Sequence, residues 1–181
     1  MTGFPRVSVS GTVDPGDWTS AVDFVNRLNW LFEAYDLEAM INAFLPDATV
    51  HHTHGAIRGA TQIRAFLTDG YPYLIPGVNR HASNHIVDPD VDGVMVRYQN
   101  LLIRHAWPEQ AQQIRAGAAV ESSNNLPGIW AYSPVLDRLR STSDGWRIAE
   151  RHLGGTVSNK ALSVPLKQRQ DIKRFLPTSQ H

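Results

Sequence analysis

The sequence predicts one α+β domain in which helices pack on one face of a curved antiparallel sheet around a polar pocket. Three observations predict it. Helical apolar periods come first, runs of β-branched and aromatic residues dominate from residue 79 onward, and turn residues divide those runs into hairpins.

Residues 1–16 mix Gly, Pro, Ser and Thr with isolated valines and read as an arm without chemistry of its own. From Asp17, the residues Trp18, Ala21, Val22, Val25, Leu28 and Phe32 recur at three- and four-residue steps. That period lays one face of a long helix on a core and ends it near Tyr35. Asp36 is a cap for a second helix carrying Leu37, Met40, Ile41 and Phe44, which Pro46 and Asp47 should stop. Residues 48–53 are rich in β-formers and put His51 and His52 on opposite faces, so that only one of them turns inward. A third helix is expected over 59–67. Strands come next over 79–87 and 94–105, joined by the Asp90-Val91-Asp92-Gly93 turn, and over 129–140 and 146–153, joined at 141–145. Residues 107–127 have no sustained period and read as a long insertion of the kind that serves as a lid, with a helical turn near 109–116. Residues 154–181 leave the 17–153 domain as a tail that docks on this subunit or a neighbouring one.

At 181 residues the chain suits one core with some additional loop. Lysine plus arginine balances aspartate plus glutamate at 17 each, so no net field attracts nucleic acid or an anionic membrane. Cysteine is absent, which excludes disulfides and thiolate metal sites and suits a reducing compartment. Residues 1–14 lack a basic segment followed by an apolar run. The expectation is an uncleaved cytoplasmic protein that acts on a small molecule and forms a homodimer or higher homo-oligomer, since such a sheet leaves one face uncovered.

Three local patterns carry a resemblance. They are Tyr35-Asp36-Leu37-Glu38-Ala39 through Phe44-Leu45-Pro46-Asp47-Ala48, then Gly55 with Gly59 ahead of Ile63 and Phe66, and Asp144-Gly145-Trp146-Arg147-Ile148. Their order and spacing resemble the SnoaL-like, nuclear-transport-factor-2-like superfamily over roughly 17–153, which implies a cone-shaped α+β barrel. The segment Arg80-His81-Ala82-Ser83-Asn84-His85 resembles the strand that supplies the catalytic histidine in scytalone dehydratase and hexachlorocyclohexane dehydrochlorinase, with His85 in the catalytic place. The orienting acid of those enzymes falls on Glu33, and the dehydrochlorinase arginine on Arg151. Phe32 and His52 stand where scytalone dehydratase has its tyrosines, and His105 falls within one residue of another of its histidines.

The resemblance implies an acid/base pair, with His85 the base, Glu33 its orienting carboxylate and Arg151 an electrostatic helper. As ordinary structural residues, Glu33 would be a solvated helix position, His85 a hydrogen-bonded core histidine, and Arg151 an ion-pair partner of Glu150 or Asp137. His52, His105, Tyr98 and Asp137 are expected to contact substrate. Asn84 faces away from His85 unless the strand bulges. Six of the eight histidines lie within 51–105, which invites a metal reading, and His81 and His85 share a strand face. Neither an HExxH motif nor facial-triad spacing is present, and the resembling enzymes need no metal, so no metal and no cofactor are expected. His54 reads as a turn residue and His181 as a chain end. The function implied is β-elimination of the dehydratase or dehydrohalogenase kind on a small, mostly apolar substrate. Alternatives are an isomerase or polyketide-type cyclase of the same fold, a noncatalytic binding or assembly module, and a metal-dependent oxygenase or hydrolase.

Overall fold

The computed structural model describes residues 4, 6–8, 11–52, 55–122 and 125–177. His54 and His181 lie outside them.

Helix α1 spans Pro15–Ala34. The Asp14 side chain accepts from the Gly16 amide at 2.8 Å, and Pro15 occupies the first turn, where its missing N–H costs nothing. Ala21, Val25, Leu28 and Phe32 are buried along one stripe, as the period predicts. Tyr35 closes the helix in the left-handed conformation. Asp36 then caps α2, Leu37–Asn42, by accepting from the Ala39 amide at 3.1 Å. This helix is shorter than the sequence suggests. Strand β1 already begins at Phe44 and runs Phe44–His52, with Pro46 inside it. The proline is tolerated because the pairing register of β1 shifts between Phe44 and Thr49, where an amide is not required.

A short strand β2, Gly55–Arg58, folds back on β1 before α3, Gly59–Ala65. The third helix loosens into a wider turn over Phe66–Gly70. Strands β3 (Val78–Asp90), β4 (Gly93–Arg104), β5 (Gly128–Thr142) and β6 (Gly145–Leu153) make two long hairpins. Gly77 opens β3 at positive φ, and an added Cβ there would collide with the Ala106 carbonyl, so only glycine fits. Between the hairpins lies α4, Pro108–Arg115.

The seven-stranded sheet has the order β2-β1-β6-β5-β4-β3, with β7 (Val157–Ser158) added to β5. It is curved but unclosed, so the architecture is an open α+β cone rather than a complete barrel. It is also not wholly antiparallel. β1 and β6 pair in parallel, with Val50 opposite Arg151 and His51 opposite His152. The core fills the concave face, where Val94, Val96 and Tyr98 of β4 alternate inward against α1.

The tail docks on its own chain. β7 pairs with Ala131 and Tyr132, the part of β5 that β6 does not reach. The fully buried Arg104 fastens the segment after β7: its Nε donates to the Leu162 carbonyl at 2.6 Å and its Nη1 to the Pro76 carbonyl at 3.1 Å. Trp107 and Trp130 flank the guanidinium at 5.2 and 4.7 Å, and burial lowers its pKa to about 10. Helix α4 is bound to the tail as well, through Arg115 Nη2 to the Phe175 carbonyl at 2.6 Å. Among the described residues, no helix is long and apolar enough to cross a membrane.

Candidate functional site

The concave face of the sheet, α1, the 66–74 turns and the tail enclose a cavity of about 500 Å³. Most of its wall is apolar and aromatic, including Phe32, Phe44, Phe66 and Trp130. The polar groups converge from different elements: Asn29 from α1, His52 from β1, Arg80 from β3, Asn100 from β4 and Arg151 from β6. A few placed polar groups on an apolar wall are the ordinary signature of a small-molecule site. Thr156, Ser158, Ser163 and Arg169 of the tail complete the wall, and Arg169 sits 4.2 Å from the centre of the Tyr73 ring. The 107–127 insertion contributes none of the described lining residues, so the tail takes the covering place that its length suggested.

Arg80 is the most consequential group at this wall, and it has no assigned role in the sequence reading. It is 6% exposed, and its guanidinium lies between the rings of Phe32 (5.7 Å) and Tyr71 (5.4 Å). Nε donates to the Tyr71 hydroxyl at 3.1 Å and Nη2 to the Leu74 carbonyl at 2.8 Å. Among the described residues Nη1 has no hydrogen-bond partner, and no carboxylate pairs with this cation. A buried donor left in this state favours an acceptor on a ligand.

Arg151 behaves differently. Nε and Nη2 hold the two oxygens of Asp137 at 2.7 Å each, and Nη2 also reaches the Tyr98 hydroxyl at 3.3 Å. Tyr98 in turn donates to Asp137 at 3.1 Å. Burial works against the charged guanidinium, but the Asp137 carboxylate outweighs it and raises the Arg151 pKa. Burial raises the Tyr98 pKa so far that the phenol stays protonated. Asp137 is wholly buried and outside the cavity wall, where it holds the Arg151 guanidinium in place.

Glu33 and His85 are not in contact. Glu33 Oε1 accepts from the Arg80 backbone amide and Oε2 from Asn79 Nδ2, both at 2.6 Å. The helix carboxylate thus anchors the start of β3, and its charge acts on His105. His85 sits on a β-bulge, where Asn84 takes positive φ and the register with β4 shifts between Ser83 and Ile86. The bulge moves the inward positions from 80 and 82 to 85 and 87. His85 therefore faces inward, but one place further along the strand, with its ring 5.7 Å from the Tyr98 ring and its Nε2 buried without a partner. It borders a shallow groove with Val13, Trp18 and Thr19 instead of the main cavity. Burial lowers its pKa and that of His105, for which Glu33 offsets part of the effect. His52 does line the cavity, its ring 5.8 Å from Phe66, while His51 points to the opposite face.

The model of a family described as a SnoaL-like domain matches residues 17–152. No curated protein matches the chain. Solved structures share the fold. An NTF2-like protein with a cystatin-like fold from Novosphingobium aromaticivorans is 18% identical, with 77% of this chain and 81% of that chain covered, at a TM-score of 0.59. ActVI-ORFA from Streptomyces coelicolor is 16% identical over 76% of this chain and 95% of its own, at 0.58. A scytalone dehydratase-like protein from N. aromaticivorans is 18% identical over 78% and 86%, at 0.57.

Proposed function

The chain belongs to the SnoaL-like domain family, and from that premise we propose that it is an enzyme performing cofactor-independent acid/base chemistry on a small, mostly apolar substrate that carries a carbonyl or acid oxygen. The observation that carries the reading is the buried Arg80 at the cavity wall with Nη1 unpartnered. A fixed cation in a water-poor site stabilises an oxygen that gains negative charge far better than the same cation in water.

The reaction favoured is β-elimination of water or of an equivalent leaving group. His52 removes a proton from the carbon next to the carbonyl. The electron pair moves onto the carbonyl oxygen, which Arg80 holds. On its return the leaving oxygen departs with the proton carried by His52, so the net change is loss of water. Isomerisation differs only in returning the proton to another carbon, and cyclisation in letting the enolate attack a second carbonyl. Arg151, pinned by Asp137, serves as a rigid positive wall rather than a mobile contact. The likeness to a scytalone dehydratase-like protein supports the fold that such chemistry uses, and the residues of this chain support the rest.

A panel of small hydroxyketones, ketones and halides, assayed for elimination and for solvent-deuterium exchange at carbon, tests the proposal. Turnover or exchange that disappears in both His52→Gln and Arg80→Gln supports it. Saturable ligand binding with neither, unaffected by His52→Gln, would favour a binding module instead.

A further inference from the structure

On the outer face of the sheet, opposite the cavity, three potential ligands meet. His51 of β1 and His152 of β6 are direct register partners, and Glu150 lies two residues from His152 on the same face. His51 Nε2 is 2.8 Å and His152 Nε2 is 3.0 Å from the same oxygen, Glu150 Oε1. The two rings stack at 4.2 Å with 9° between their planes. All three ligand atoms fall within 4.8 Å of one another.

We propose that His51, Glu150 and His152 bind a divalent transition-metal ion of the zinc type. Neighbouring ligands around such an ion, with bonds near 2.0–2.2 Å, stand roughly 3 Å apart, which the two nitrogen–oxygen spacings already match. Two imidazoles and one carboxylate select zinc, nickel or copper over calcium or magnesium, which require more oxygen donors. The residues around the cluster fit the assignment. Arg138 Nε holds the other oxygen, Oε2, at 3.2 Å and so aims Oε1 at the histidines. The Arg138 charge, which alone would repel a cation, is offset in part by Asp90 at 2.8 Å, a carboxylate it shares with Arg140. The groups are partly exposed, so an ion reaches them from solvent.

The ion would span the parallel β1–β6 seam, and among the described residues β1 with β2 joins the rest of the sheet only through β6. His52 and Arg151, the neighbours of two ligands in sequence, face the cavity on the other side of that seam. A metal here is therefore a clip that sets the spacing between two cavity walls. It takes no part in the proton transfer assigned to His52, and either reading stands or falls without the other.

The test is titration of untagged, chelator-dialysed full chain with Zn²⁺ by calorimetry and with Co²⁺ by visible absorption. Stoichiometric Zn²⁺, ligand-field bands for Co²⁺ and a rise in Tm with Zn²⁺ are expected. His51→Ala and His152→Ala should each weaken binding on the order of 10²-fold or more, since even changes behind the ligands cost 10- to 100-fold. His81→Ala, an exposed histidine on β3, should leave it unchanged. The proposal is overturned if the unaltered chain shows no saturable binding, if binding survives both ligand replacements, or if it is lost in His81→Ala. If an alanine variant misfolds, His51→Gln and His152→Gln, which keep side-chain size and lose the ligand nitrogen, carry the same test.

Discussion

Arg151 and Asp137 form a two-armed ion pair inside the sheet, 2.7 Å on each arm, with Asp137 fully buried. Removing one partner leaves an uncompensated charge away from water. Asp137→Asn should therefore destabilise the fold by about 3–5 kcal/mol, measured by urea unfolding. The joint change Asp137→Leu with Arg151→Met should cost clearly less than Asp137→Asn alone, because no buried charge remains.

Arg80 should be needed for turnover more than for folding. Its replacement by Gln removes a charge stabiliser for the developing anion, so kcat/KM should fall on the order of 10²- to 10³-fold. Arg80→Lys should not rescue it, since an ammonium cannot keep the Tyr71 and Leu74 bonds while presenting a free donor. Retained circular dichroism with lost turnover is the expected pair of readings.

His52→Gln should lower kcat roughly 10²- to 10⁴-fold if its imidazole carries the proton. The sequence reading instead expects Glu33 and His85 to act as a unit, with a double variant little worse than His85→Gln. Since the two do not touch, losses from Glu33→Gln and His85→Gln should multiply. A double-mutant cycle on kcat/KM separates these outcomes.

Stability should fall in mild acid. Burial lowers the pKa of both His85 and His105, so the unfolded chain binds their protons more readily. As pH drops below 6.5, the ordinary imidazole value, the unfolded state gains protons that the folded state refuses, and stability is lost until the lowered folded values are passed. His85 faces Tyr98, whereas His105 lies in the fields of Glu33 and Arg104. Tm measured across this window should rise with pH, and His85→Gln should flatten the rise.

We propose in addition that the chain pairs with a second copy. Trp30 on α1 is 72% exposed, and Val157 and Leu166 of the tail are similarly uncovered. Light scattering at micromolar concentration should report a dimer, and a monomer there would refute the pairing.

The helices and hairpins are legible in the sequence because their signals are local. The α1 stripe, the Asp36 cap and the Asp90–Gly93 turn are set by neighbours within a few residues. Register is not legible. The bulge at Asn84 brings His85 onto the same face as Arg80 but further along the strand, so that Arg80 lines the cavity while His85 borders the shallow groove. Strict alternation from Arg80 and Ala82 would turn His85 outward, and only the Asn84 beside it, a residue that tolerates positive φ, hints at the bulge. The His51–Glu150–His152 cluster is invisible for a different reason, because His51 and Glu150 are 99 residues apart in sequence and meet only through the parallel β1–β6 pairing. The tail elements escape a sequence reading because Arg104 and the free edge of β5, not their own apolar period, hold them in place.

The family match ends at residue 152, yet Thr156, Ser158, Ser163 and Arg169 close the cavity beyond it. The part that would meet the proposed substrate is thus partly separate from the part that makes the sheet. Changes in residues 154–177 can reshape what fits without touching the pairings of the long strands, and exchange of this segment between relatives offers a modular route to altered selectivity. Under the proposed function, the scaffold can stay fixed while specificity evolves in the segment after β6.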